Sequence, residues 1–425
     1  MKTERYETPA LVCDAGMLSQ VANIQELGRL GIPVVAIADS PQAIGFSSRY
    51  VSQRLVCGTP SHDAEYIRFL ISSCPRGVIF YSNDANTENI ARHREELAAN
   101  GFSLLVSPAS TLERVIEKDR LFQTALDCGV AVPKCRLVRS IPELQDCVAE
   151  FGVPLILKST NLAGGIYRFV QNREAAAVVF QEMSELIDCG AYRHRGAHLM
   201  AQQWIPQAGA RLWNFNACVK SGRILCYAMG ERVRTDVLPD GWRGSMLLFG
   251  RTARNDRILE QNRRLLRHLN FDGIVETEWS EGSPEPGSMY LYDFNPRFSG
   301  NIRWTFRSGV SLAEQYYRLA LGMPPQSQAM RDGTLYAKVF FHRNDFIDAI
   351  DNPGLSFFQK LAVLKDDLTV IARCRRHAAD ILDPSDLGPT LHAAAELASS
   401  LSARLRRFTH SRTRAWRLRL HPKTD

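Results

Sequence analysis

Two short β-branched runs, "PALVCDA" and "GIPVVAIADS", flank the segment "LSQVANIQELGRLG", whose apolar residues recur at helical spacing up to Gly31. A strand, a helix and a second strand in that order can bury their apolar faces together only as a parallel βαβ unit, and this constrains everything that follows. The alternation continues through "GVIFYSND" and "ANTENIARHREELAANG". Residues 1–108 are therefore expected to form a parallel-sheet α/β domain. Its first turn, Asp14-Ala15-Gly16, lacks the G-x-G-x-x-G spacing of a dinucleotide site.

From Ser107 the pattern changes to α+β. Helical segments at "SPASTLERVIEKDRLFQTALDCG" and "SIPELQDCVAEFG" alternate with the strands "VAVPKCRLV" and "VPLILKS". Further strands are expected at "HLMAQQWIPQ" and "RLWNFNACVKSGRILCYAMGERVR", a helix near 255–269, and a final pair, "GIVETEW" and "MYLYDFN". "TLYAKVFF" and several helices follow over residues 334–400. A chain of 425 residues suffices for about three domains. Ten scattered cysteines form no C-x-x-C pair, which argues against a zinc site or disulfide framework and for a reducing compartment. The N-terminus lacks the apolar stretch of a signal peptide and no run reaches bilayer length, so a cytoplasmic enzyme is the expectation. The net charge of +7 resides wholly after Glu396, where seven arginines and Lys423 face only Asp425. The body is balanced, so only the tail is suited to an anionic partner or surface.

Glu276 and Glu278 share one face of the first strand of the final pair, and Asp293 and Asn295 share one face of the second. Paired as a hairpin, the strands place Glu278 opposite Asp293 and Glu276 opposite Asn295. Like charges across a sheet repel and persist only with a compensating cation. Two carboxylates and an amide oxygen are hard ligands suited to Mg²⁺ or Mn²⁺, and Arg297 follows two residues on, spaced to hold a phosphate oxygen. Lys158 ends a buried strand before Gly164-Gly165, where backbone N–H groups can close on phosphate. The lysine precedes the glycines, so this is no Walker A loop.

Seven stretches in order, "FSSRYV", "NDANTENIARHREEL", "EKDRLFQTALDCGVAVPK", "VPLILKS", "AQQWIPQ", "GIVETEW" and "DFNPRFSG", make the chain resemble the ATP-grasp superfamily. The resemblance is closest to its carboxylate–amine ligase branch, including D-aspartate ligase-like and carbamoyl-phosphate-synthase-like proteins, and covers residues 8–330. It implies a Rossmann-like front domain over 1–108 and an ATP-grasp N-terminal lobe over 109–195. A C-terminal lobe bearing the metal site would occupy 196–330, an extension 331–400 and a helical basic tail 401–425. It further implies that Lys118 and Lys158 hold ATP phosphates under the Gly164-Gly165 loop. Gln203 stands where a glutamate usually reads the adenine amino group, with Trp204 and Ile205 offering backbone groups to the ring. Glu278, Asp293 and Asn295 take the metal-ligand positions and Arg297 that of the phosphate-orienting arginine. Asp293 replaces the usual glutamate, and Ala210 stands where an acid usually meets the ribose hydroxyls.

The implied reaction is ATP-dependent activation of a carboxylate as an acyl phosphate, followed by amide formation with an amine and release of ADP and phosphate. Arg232, Arg234, Arg303 and Arg307 are candidates for holding the carboxylate, since a guanidinium grips it in bidentate fashion. The partners expected are the small carboxylate and amine, an anionic contact for the tail, and a second copy of the chain as a homodimer. Rival readings are carboxylation through carboxyphosphate and a non-catalytic nucleotide-binding scaffold. The identity of the carboxylate and the amine does not follow from the residues.

Overall fold

The computed structural model describes residues 6–160, 167–188, 198–205, 211–237, 243–282 and 288–337, together with stretches between 356 and 399, of which 382–396 is the longest. The expectations for Gly164, Gly165, Ala210, most of "TLYAKVFF" and the basic tail lie outside the described residues.

The opening βαβ pattern yields a parallel sheet of β1 (Ala10–Val12), β2 (Val34–Ala38), β3 (Val51–Val56) and β4 (Val78–Phe80), in the order β3-β2-β1-β4. Strands β1, β2 and β4 are buried throughout, which is why they read as unbroken apolar runs. At the end of β4 the Asn83 side chain accepts from the Asn86 N–H and caps the helix Asp84–Arg92.

A second sheet, β5-β8-β6-β7, is antiparallel: β5 (Cys135–Val138), β6 (Leu155–Ser159), β7 (Tyr167–Val170) and β8 (Leu199–Gln203). It has its own core, in which Leu155, Leu157, Val170, Leu199 and Ala201 pack against the helices Ile141–Phe151 and Ala175–Asp188. A third sheet runs β13-β12-β9-β10-β11-β14-β15. Its strands are β9 (Leu212–Lys220), β10 (Arg223–Val237), β11 (Arg243–Thr252), β12 (Gly273–Gly282), β13 (Ser288–Asn295), β14 (Leu335–Ala337) and β15 (Ala378–Ala379). One continuous core joins this sheet to the front sheet, with Phe80, Tyr81, Phe298 and Tyr316 stacked between them. Among the described residues no helix is long and apolar enough to cross a membrane.

Residues 382–396 return to the front sheet and are held by two buried acids. Asp386 accepts from Gln25 Nε2 at 2.9 Å, Ser48 Oγ at 2.6 Å and the Arg49 N–H at 2.9 Å. Asp383 pairs with both Arg29 and Arg303, the latter at 3.4 Å in the helix Ile302–Ser308. Removing one member of such a buried ion group leaves charge without compensation. Asp383→Ala should lower unfolding free energy by about 3–5 kcal/mol, whereas Leu391→Ala, at an exposed position of the same segment, should change it by less than about 1 kcal/mol. Urea midpoints at equal slope would check both.

Candidate functional site

Strands β12 and β13 pair antiparallel with Glu276 opposite Asn295 and Glu278 opposite Asp293, the pairing that their alternation predicts. Tyr292 is skipped in the register, a bulge immediately beside the two carboxylates. On the other side β9 sets Asn214 against Glu278 and Asn216 against Glu276.

Two acids facing one another need cations, and the fold supplies them from three directions. Lys118 Nζ, at the start of the helix Lys118–Asp127, lies 2.6 Å from Asp293 Oδ1. Arg232 Nη2, from β10, lies 2.7 Å from Glu278 Oε1, and its Nε donates to Asn214 Oδ1. Arg297 donates through Nη2 to Asn295 Oδ1 at 3.0 Å and through Nε to Asp84 Oδ1 at 3.1 Å, tying the front domain's first helical turn after β4 to the carboxylate strand. Burial opposes ionisation of Asp293, but Lys118, by charge and hydrogen bond, and Lys158 hold its pKa below the ordinary value. Burial likewise opposes the Arg297 charge, and Asp84, Glu276, Asp293 and Glu278 outweigh it.

Glu276 lies deeper, 5% exposed, and is surrounded by amides. Its Oε1 accepts from Asn214 Nδ2 at 2.6 Å and Asn301 Nδ2 at 3.1 Å, and its Oε2 from Asn295 Nδ2 at 3.4 Å. The Ser299 hydroxyl bridges Asn301 Oδ1 and Asn216 Oδ1.

The second sheet contributes Lys158, buried at the end of β6, its Nζ 5.3 Å from the centre of the Phe122 ring. Desolvation, then the neighbouring Lys118 charge, lower its pKa to about 7, against the pull of Asp293, Cys135 and Glu278. Lys158 of the second sheet and Lys118 thus share one electrostatic neighbourhood with the carboxylates of β12 and β13.

Lys158 pairs across β6 and β8 with Met200, and Ile156 with Gln202, so Gln202 shares the Lys158 face. Gln203 pairs with Leu155 and sits on the opposite face, the one that packs the lobe's own core. Gln203 and Gln202 therefore present opposite faces of the sheet, since a one-residue difference along a strand exchanges faces. Gln202 is fully buried with neither Oε1 nor Nε2 hydrogen-bonded. Trp204 packs edge-on against Phe169, ring centres 5.1 Å apart. Ile205 is buried against Gly282 of β12, where any Cβ would run into it.

The remaining arginines separate. Arg232 lies inside the site as the partner of Glu278. Arg303 turns to Asp383 and the Leu382 carbonyl. Arg307 stands near the end of its helix, largely exposed, and partial desolvation followed by the Arg29 charge lowers its pKa. Arg234 belongs to β10, and its side chain lies outside the described residues. Sequence reasoning missed Asp84, Gln202, Asn214, Asn301 and Asp383. Asp84 stands within "NDANTEN", but only the tertiary fold brings it to Arg297.

No protein-family profile matches the chain. It is 22% identical over 260 residues to the carbamoyl phosphate synthase large chain of Methanothermobacter thermautotrophicus, a match covering 58% of this chain and 23% of that protein. The chain thus spans about a quarter of that relative's length. N5-carboxyaminoimidazole synthetase from Staphylococcus aureus superposes with a TM-score of 0.61 at 13% identity, covering 83% of this chain and 87% of that one. N5-carboxyaminoimidazole ribonucleotide synthetase from Thermus thermophilus gives 0.60 at 16%, covering 86% and 98%. The biotin carboxylase domain of Hydrogenobacter thermophilus 2-oxoglutarate carboxylase, solved as a dimer with MgADP, ADP and bicarbonate, gives 0.61 at 18%, covering 77% and 73%. The fold is that of these two synthetases and of the biotin carboxylase domain.

A lysine with a pKa of about 7 in the folded protein and about 10.4 when unfolded binds more protons in the unfolded chain between those values. Stability contributed by this group therefore rises with pH from about 7 to about 10. Lys158→Met should be more stable than the parent at pH 6.5, and the difference should shrink by pH 9.5. Urea unfolding at both pH values checks this.

Proposed function

We propose that the protein is an ATP-dependent, ADP-forming ligase that activates a carboxylate as an acyl phosphate and passes the acyl group to an amine. One observation carries this reading. Glu278 and Asp293 face each other across adjacent strands, each matched by a cation, with Lys158 of the other lobe in the same neighbourhood.

The donor set fits a divalent ion accompanied by a polyphosphate. Among the described residues no group of three or more His, Cys, Asp or Glu side chains forms a self-sufficient metal cage. Two carboxylates and an amide oxygen are a partial shell, the kind Mg²⁺ completes with water and phosphate oxygens. Glu278, Asp293 and Asn295 would hold it, and when bound it would offset charge on the terminal phosphates.

The chain's own groups then have distinct tasks. Lys118 and Arg297, now paired with Asp293 and Asn295, are placed to turn to phosphate oxygens. Lys158, poised near neutrality, gains its full charge as anionic oxygens arrive. Gln202 offers the buried, unpartnered amide for the base edge, with the backbone at Trp204 and Ile205 beside it. The Gly164-Gly165 loop would cover the phosphates. A substrate carboxylate oxygen attacks the γ-phosphorus, ADP departs, and an amine displaces phosphate from the acyl phosphate to leave an amide. Arg234 and Arg307 remain candidates for the carboxylate; Arg303 serves better as the partner of Asp383.

Lys158→Ala and Asp293→Ala should each lower substrate-dependent ADP release by at least about 100-fold while far-ultraviolet dichroism stays unchanged. Unaltered release in Asp293→Ala would remove the metal assignment. Screening carboxylate–amine pairs, with and without bicarbonate, separates amide formation from carboxylation: turnover that requires bicarbonate would favour the latter.

A further inference from the structure

Glu276, two residues before Glu278 and on the same face of β12, is buried and accepts hydrogen bonds from three carboxamides, Asn214, Asn301 and Asn295. We infer that Glu276 is a positioning residue that fixes which end of the Asn295 amide faces the divalent ion; this rests on the reading of the site given above.

The argument is one of donors and acceptors. A carboxylate only accepts, so every amide that meets Glu276 must present its nitrogen. Asn295 does so with Nδ2 at 3.4 Å from Oε2, which leaves Oδ1 on the outer side, where Arg297 Nη2 donates to it at 3.0 Å. Reversing the amide would set its carbonyl against a carboxylate and its NH₂ against a guanidinium, two repulsive contacts in a buried place. Orientation matters because an amide ligates a hard cation through oxygen only. The same carboxylate also takes Nδ2 of Asn214, whose Oδ1 receives Arg232 Nε, and Arg232 in turn holds Glu278. Glu276 is therefore linked to two of the three proposed ligands, to Asn295 directly and to Glu278 through Asn214 and Arg232.

The isosteric change Glu276→Gln makes a specific consequence visible. The carbonyl of the substituted side chain would keep Asn214 and Asn301, which both donate to Oε1 of Glu276, leaving the new NH₂ facing that of Asn295. Asn295 escapes that clash only by turning over, which sets its NH₂ against Arg297 and directs nitrogen at the ion, so neither orientation of the amide holds its oxygen there as the parent does. The variant should bind Mn²⁺ in the presence of ADP about tenfold more weakly, measured by electron paramagnetic resonance of free Mn²⁺ on the full-length protein. Metal-free ADP binding by equilibrium dialysis should stay within about twofold, because no phosphate or base contact has changed.

Adding Asn295→Asp to Glu276→Gln should restore Mn²⁺ affinity to within about threefold of the parent, since a carboxylate presents oxygen on both sides. Unchanged Mn²⁺ affinity in Glu276→Gln, or failure of Asn295→Asp to restore it, would overturn the inference while leaving the ligase reading in place. A parent protein that binds ADP but no Mn²⁺ would overturn both. If Glu276→Gln does not fold, Glu276→Asp, which keeps the charge but withdraws it from Asn295 by one methylene, should weaken Mn²⁺ binding several-fold; parent-like affinity there would equally end the proposal.

Discussion

The repulsion between Glu278 and Asp293 is the constraint around which the rest of the molecule is arranged. Two carboxylates held directly across an antiparallel pair are unfavourable unless cations stand by. Those cations come from elements far apart in sequence: Lys118 from the helix Lys118–Asp127 and Arg232 from β10, beyond β9 in the same sheet, with Lys158 nearby in the second sheet. Within the site the anions and cations neutralise one another. A polyphosphate with its metal ion would let each group exchange one partner for another of the same sign, so the site can bind highly charged species without leaving a buried charge bare.

The scaffold explains how that arrangement keeps its shape. Asn214, Asn216, Asn295 and Asn301 with Ser299 line the floor around Glu276, a buried polar network closed by hydrogen bonds. Such a network specifies one geometry when its members are satisfied. The front sheet joins through the Asp84–Arg297 pair and through the aromatic stack of Phe80, Tyr81, Phe298 and Tyr316. Its role at the site is thus physical contact with the loop that follows β13. Residues 382–396 reach the same region from behind, since Asp383 anchors Arg303 in the helix that begins just after that loop.

Much of this was legible in the residues. The βαβ opening followed from apolar runs and helical spacing, because a strand buried on both faces has no alternation to hide. The Glu278–Asp293 apposition followed from a period of two on each strand, since a short hairpin loop leaves few registers. The glutamine doublet at 202 and 203 shows where such reasoning stops. Both residues carry the same amide, and neighbours on a strand face opposite ways, so only the pairing of β8 with β6 shows that Gln202 is the one on the Lys158 face. The arginines show the same limit, because composition marks a guanidinium as suited to a carboxylate without saying whose. Arg303 found its acid eighty residues away in Asp383, and Arg232 found Glu278 across the sheet.

By itself, then, the sequence determined the order of elements, the strand faces carrying Glu276, Glu278, Asp293 and Asn295, and the resemblance that places Lys118 and Lys158 beside them. These are properties of local periodicity and spacing, which a chain carries before it folds. Tertiary structure alone decided which cation meets which anion, which glutamine faces Lys158, and which way the Asn295 amide points. Each depends on atoms brought together from separate strands and helices, where a shift of one residue or a half-turn of one side chain reverses the chemistry presented to a ligand.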